Sequence, residues 1–285
     1  MDMKQNPFSF YDFLGYFTPG ALFLYGVMAG FAHTQSSLNI IDYIAANLSF
    51  GKPELYIPFI LVAYTLGHIL AFISSGMIER YSIWTVGYPS KYLLGISSQA
   101  YFDVEKHKAL RVFIRIVVAI LLAPISILDF VVGKIMGFRD LYAKSLDHLL
   151  VRVIAMKVGA LMQQHAGLEK PPSETNVREV DFFRYVYHYA VEHAPNHLPK
   201  MQNYVALYGF LRTLTLLVVM LFWALVWHAY MGLVCYLEGG ILIASSGILA
   251  FVAYMAFVKF YRRFSLEAFM ALAATLELNS ADKPQ

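Results

Sequence analysis

Histidines are the residues in this chain whose spacing first suggests chemistry. His188, His193 and His197 fall in the run HYAVEHAPNH, five and then four residues apart. Neutral imidazole is a common ligand for zinc and iron, so such a cluster invites a metal-site reading. Helical geometry argues against it: His188 and His193 would sit about 140° apart around the axis, and Pro195 interrupts the helix before His197. The expectation is a solvated surface shared with Glu192. No metal, no other cofactor and no catalytic residue is assigned. HExxH, GxSxG, paired CxxC and phosphate-loop motifs do not occur.

Another histidine stands alone inside an apolar run long enough to cross a bilayer, IPFILVAYTLGHILAFISSGMI. Tyr64, His68, Ala71, Ser75 and Glu79 recur at steps of three or four and so share one helix face. Gly67, Ala71 and Ser75 form an adjacent stripe of small residues, which permits close helix approach. Ionisable groups at membrane depth are costly and mark candidate functional positions. Three roles for His68 remain open: a packing hydrogen bond to another helix, a proton- or ion-sensitive function, or a metal contact. Glu79 lies eleven residues on, about 16 Å along the axis, so any acidic partner of His68 must come from another helix or subunit. The polar stripe needs a protein surface, and a homo-oligomer is therefore expected.

Two further clusters lie near the membrane surface. In FSFYDFLGYFTPG, Thr18 before Pro19 reads as a helix N-cap followed by proline at the first helical position. The aromatic stretch ahead of it, with Tyr11 and Asp12, would then lie along the inner surface, leaving a short, broken or tilted first span that begins at Pro19 and Gly20. Asp12 is read as a solvated interfacial carboxylate, with a cation or arginine contact as the alternative. Near the other end, Lys259, Arg262 and Arg263 flank the last apolar run, and Arg80 follows Glu79. Basic residues at an inner leaflet attract anionic lipid, so these four are candidates for lipid or partner contact.

The elements that must position these residues are helices in a membrane. Hydrophobic residues make up 59% of the 285 and charged residues only 14%, where soluble domains carry about a quarter charge. A single cysteine, Cys235, excludes an intrachain disulfide framework and is read as a packing residue. Four segments suit spans, at about 13–32, 55–78, 205–236 and 240–258. The loop between the first two holds only Lys52 of the 22 basic residues, and the link between the last two holds none. The positive-inside rule then places both termini and the stretch 79–204 in the cytoplasm. The first span has one lysine ahead of it and reads as a retained anchor rather than a cleaved signal.

The expected fold class is all-α: a polytopic membrane protein with transmembrane pairs over 1–78 and 205–285 and a helical cytoplasmic domain over 79–204. Within that domain an amphipathic helix is expected over 141–164 and another from Arg178 to about His193, ended by Ala194-Pro195-Asn196. A fifth apolar segment, 112–133, carries Arg115, Pro124 and Asp129. It is expected to be a re-entrant or surface hairpin broken at Pro124, with a true crossing as the alternative.

The motifs YDFLGYFTPG, GHILAFISSGMIER and FYRRF resemble those of a loose group of uncharacterised bacterial multi-pass membrane proteins found with anti-phage defence genes. The matching positions are Tyr11, Asp12, Pro19, Gly20, Gly67, His68, Glu79 and Arg80, and the resemblance covers about a fifth of the chain. It implies an inner-membrane sensor or effector of a defence system and supplies no catalytic residues. The expected function is a non-enzymatic oligomeric membrane component that receives a cytoplasmic signal or protein partner and perturbs or gates the membrane. The alternatives are a metal-dependent membrane enzyme acting on lipid and a scaffold for a soluble effector. Membrane lipids are expected partners; no nucleic acid is predicted as one.

Overall fold

The computed structural model describes residues 12–35, 56–96, 101, 108–166, 181–233 and 236–277. Every regular element among them is a helix. The helices are α1 (Thr18–Gln35), α2 (Tyr56–Ser74), α3 (Arg80–Thr85), α4 (Pro89–Tyr92), α5 (Lys108–Leu121), α6 (Ala123–Leu128), α7 (Asp140–Ala143), α8 (His148–Ala166), α9 (Phe183–His193), α10 (Leu198–Tyr230) and α11 (Tyr236–Thr275). Wider π-helical turns occupy Phe13–Phe17, Ser75–Glu79 and Asp129–Ile135. Four helical segments are long and apolar enough to cross a membrane, at Phe13–Gly30, Tyr56–Tyr92, Leu198–Tyr230 and Leu237–Thr275. The chain is an all-α polytopic membrane protein.

Two compact units divide it. One comprises Met1–Glu79 and Gly209–Tyr254, the other Arg80–Tyr208 and Met255–Gln285. Helices of 33 and 40 residues, α10 and α11, contribute to both. At 1.5 Å per residue each is longer than the roughly 30 Å hydrocarbon layer. The tail helix carrying Arg262 and Arg263 is the uninterrupted continuation of the last span.

In the first unit α1 packs along α2 through glycines. A Cβ on Gly20 would overlap the Ala63 carbonyl, and one on Gly67 would overlap the backbone of Tyr16. Thr18 is not the helix N-cap expected from the sequence. Its backbone is helical and its hydroxyl donates to the Phe13 carbonyl at 2.9 Å. Proline at 19 has no N–H and its ring crowds the carbonyl four residues back; the π turn ahead of it widens the helix, so the chain enters α1 without a break.

The second unit has its core where α8, α9 and the last turns of α11 meet, around Ile154, Val158, Val186, Ala190, Phe269 and Leu272. The sequence pattern placed a helix over 141–164. The structure begins it at His148, because the Asp147 side chain accepts the amides of Leu149 and Leu150, both at 2.9 Å, and caps the first turn. The Leu150 amide, first of these bonds in effect, and the Leu149 amide hold the Asp147 carboxyl below its ordinary pKa. A depressed carboxylate pKa adds stability above the unfolded value, and that stability is lost as pH falls through the lower folded value. Wild-type thermal stability is therefore expected to drop below about pH 3.8 more than that of Asp147→Asn, with melting curves against pH as the check. Parallel pH dependence of the two proteins would remove Asp147 from the account.

The segment around Pro124 is bent. Ala109–Leu121 and Ala123–Ile135 meet at 90°, a bend that suits a re-entrant element and a broken span alike. The break falls at Leu122, with Pro124 in the first turn of α6. The Ser126 hydroxyl donates to the Ala119 carbonyl at 2.9 Å and so occupies an acceptor next to the break. Gly137, with φ +76°, ends the second arm in a conformation that other residues rarely adopt.

Candidate intramembrane polar site

The stripe on α2 serves two clusters rather than one. In the first, the His68 imidazole stacks on the Tyr16 ring, with centroids 3.9 Å apart and planes 18° from parallel. Tyr64 meets the same imidazole edge-on at 4.6 Å. Tyr16 reaches His68 because the π turn Phe13–Phe17 carries it there and because Gly67, one residue away, lets the Tyr16 backbone lie against α2. His68 remains exposed at the helix surface, and its ring nitrogens make no hydrogen bond among the described residues.

The second cluster is built on Glu79 and Arg212. Arg212 Nη1 donates to Glu79 Oε2, Nε to the Ser74 hydroxyl at 3.2 Å and Nη2 to the Ala71 carbonyl at 3.3 Å. Ser75 donates to the same Glu79 oxygen at 3.3 Å. Ser74 and Thr213, both fully buried, have their hydroxyl oxygens 3.3 Å apart. Side-chain exposure is 15% for Arg212 and 21% for Glu79, so the pair is largely withdrawn from solvent. Such a charge pair joins two spans through fixed hydrogen bonds rather than through apolar packing alone.

Any acidic partner of His68 had to come from another helix or subunit, and among the described residues none bonds to it. A basic partner from another helix goes to Glu79 instead. The sequence reading did not pair Arg212 with Glu79, although a lone arginine in one apolar span and a lone glutamate at the end of another was the available signal. Polar groups on α2 that were expected to need a second copy of the chain are in good part satisfied within one chain.

Other candidate positions scatter. Tyr11 lies outside the described residues, as do Lys52 and Cys235. Asp12 is half-buried at the start of the π turn, while Pro19 and Gly20 are buried against α2. In the second unit Arg80 and Lys259 are exposed. Arg262 donates through Nε to the Lys144 carbonyl at 2.6 Å. Arg263 lies over the Phe260 ring, 5.7 Å from its centroid. Arg262 is thus partly committed to holding the fold.

The three spaced histidines turn to different partners. His188 meets Tyr187 edge-on at 5.6 Å, and His193 stacks on Tyr189 at 4.3 Å. His197 was expected on a solvated surface; its Nδ1 lies 2.8 Å from Glu267, which Lys200 also engages at 2.7 Å. Among the described residues no three His, Cys, Asp or Glu side chains are grouped to hold a metal ion.

A further buried network went unrecognised in the sequence. Asp129, 2% exposed, accepts from the Tyr142 hydroxyl and from Arg139 Nη2, the latter at 2.6 Å. Gly133 makes the space for it: a Cβ there would lie 2.7 Å from the Tyr142 oxygen and 2.8 Å from Asp129 Oδ1. Burial disfavours the Arg139 charge, but Asp129 outweighs it and the guanidinium pKa lies above its ordinary value. The network ties the second arm of the bent pair to α7.

No family model matches the chain. Neither a curated protein nor a solved structure matches it either.

Proposed function

We propose that this chain is a non-enzymatic component of a bacterial anti-phage defence system, seated in the inner membrane with both termini cytoplasmic. It acts as a homo-oligomer that changes membrane permeability when its cytoplasmic part receives a signal or a protein partner. The defence context rests on the resemblance of the three short motifs. The observation that carries the permeability reading is His68: an exposed imidazole inside an apolar span, clamped by Tyr16 and edged by Tyr64. A group held at a helix surface by ring stacking is placed to face a pathway rather than a packed core.

Membrane potential and plaque counts in cells carrying the intact system test the reading. His68→Ala is expected to insert and assemble at wild-type yield while losing depolarisation on infection and protection against phage. His68→Gln is expected to retain part of both, since it keeps a hydrogen-bonding group. A His68→Ala protein that assembles and still depolarises and protects would overturn the reading. Loss of function in strict proportion to lost oligomer yield would reassign His68 to packing.

A further inference from the structure

Helix α5 is inverted relative to a helix of a soluble domain. Lys108, Arg111 and Arg115 fall within a sector of about 60° by helical register. The Arg115 side faces the body of its own unit. Its guanidinium lies 5.2 Å from the Trp84 ring centre and 5.6 Å from that of Tyr101, and Nη1 donates to the Tyr101 carbonyl. The Tyr101 hydroxyl returns a bond to the Arg115 carbonyl at 2.9 Å, and burial, against the pull of Arg115, pushes that phenol up to about 12. It stays a neutral donor.

The remaining surface of α5 is apolar and exposed among the described residues. Leu110, Phe113, Ile114, Val117, Ile120 and Leu121 spread over an arc of roughly 120° by register, and Leu110, Phe113 and Ile120 are 63, 62 and 59% exposed. Helices of globular proteins turn such a face inward. Arg111 is exposed at the border of this arc.

We infer that α5 is an in-plane membrane anchor: its apolar arc lies among the acyl chains of one leaflet, and Arg111, exposed at the border of that arc, reaches anionic phospholipid headgroups. Three observations select this occupant. A wide exposed apolar face bordered by an exposed basic residue, here Arg111, is the arrangement that binds anionic bilayer surfaces. The 14 residues of α5 extend about 21 Å, short of a crossing. Arg115, near the middle of the helix, would be carried to hydrocarbon depth if α5 stood upright. The 90° bend at Leu122 then separates the direction of this arm from that of the next. The inference is independent of the permeability reading.

Spin labels on single cysteines in the full chain, with Cys235→Ser as background, test it after reconstitution into vesicles of phosphatidylcholine and phosphatidylglycerol. Labels at positions 110, 113, 117 and 120 are expected to collide several-fold more with oxygen than with a water-soluble nickel complex, at nearly equal depth. A label at position 111 is expected to show the reverse preference. A depth that increases steadily from 110 to 120, by about 15 Å over ten residues, would mean a crossing and overturn the anchor. Nickel access at all sites, or exclusion of both reagents, would assign the face to water or to a protein partner and overturn it equally. The helical period of label mobility reports whether α5 is intact in each case.

Discussion

Replacing Arg212 with leucine is expected to lower the unfolding free energy of the first unit by about 3 kcal/mol, the lower end for breaking a buried ion pair. The loss has two parts. The hydrogen bonds from the guanidinium to Glu79, Ser74 and the Ala71 carbonyl disappear together. Glu79, only 21% exposed, is then left charged or forced to take up a proton with no basic partner. Glu79→Leu is expected to cost a similar amount, because it strands Arg212. The double replacement should cost clearly less than the sum, since leaving neither charge is easier than leaving one. Reversible unfolding of the four proteins in mixed micelles gives the coupling energy directly. If the two single losses simply add, the pair contributes no coupling and the two spans are joined by apolar contacts alone.

Gly67→Ala and Gly20→Ala are expected to destabilise the packing of α1 on α2 by about 1–3 kcal/mol each, the usual cost of overpacking. The obstructing atoms are backbone: the Tyr16 backbone at Gly67 and the Ala63 carbonyl at Gly20. Backbone cannot swing aside as a long side chain does, so the helices must separate, and Tyr16 should lose its stacking on His68 as they do. Gly26→Ala and Gly30→Ala provide the contrast, because a Cβ at either meets nothing within 4 Å. Alanine is there expected to be neutral or stabilising by up to about 1 kcal/mol through helix propensity. Thermal unfolding of the four variants, with near-ultraviolet dichroism of the tyrosines, separates the two classes. Equal effects at positions 26 and 67 would show that the tight crossing does not hold the pair together.

Apolar run length and charge distribution were enough for the membrane character of this chain and for its four candidate spans. Both are local quantities: twenty apolar residues in a row require a bilayer whatever they touch. The end of α9 at His193 was legible for the same reason, since proline acts on its own backbone. The starts of helices were less so. A Thr-Pro pair suggested a beginning at residue 18, but the π turn absorbed the missing amide, and only the neighbouring helix, which Gly20 meets at Ala63, favours the continuous form.

Which polar groups meet was decided by tertiary structure. Periodicity placed His68 and Glu79 on one face of the second span but said nothing of what stood opposite them. Tyr16 and Arg212 lie 52 and 133 residues away along the chain from those partners, and no local pattern encodes such a meeting. Asp129 illustrates the same limit: in sequence it is one acid in an apolar stretch, and its meaning comes from Tyr142, Arg139 and the space left by Gly133. Spacing along one helix is set by the 3.6-residue turn, which sequence contains; pairing between helices is set by how backbones approach, which small residues permit but do not specify.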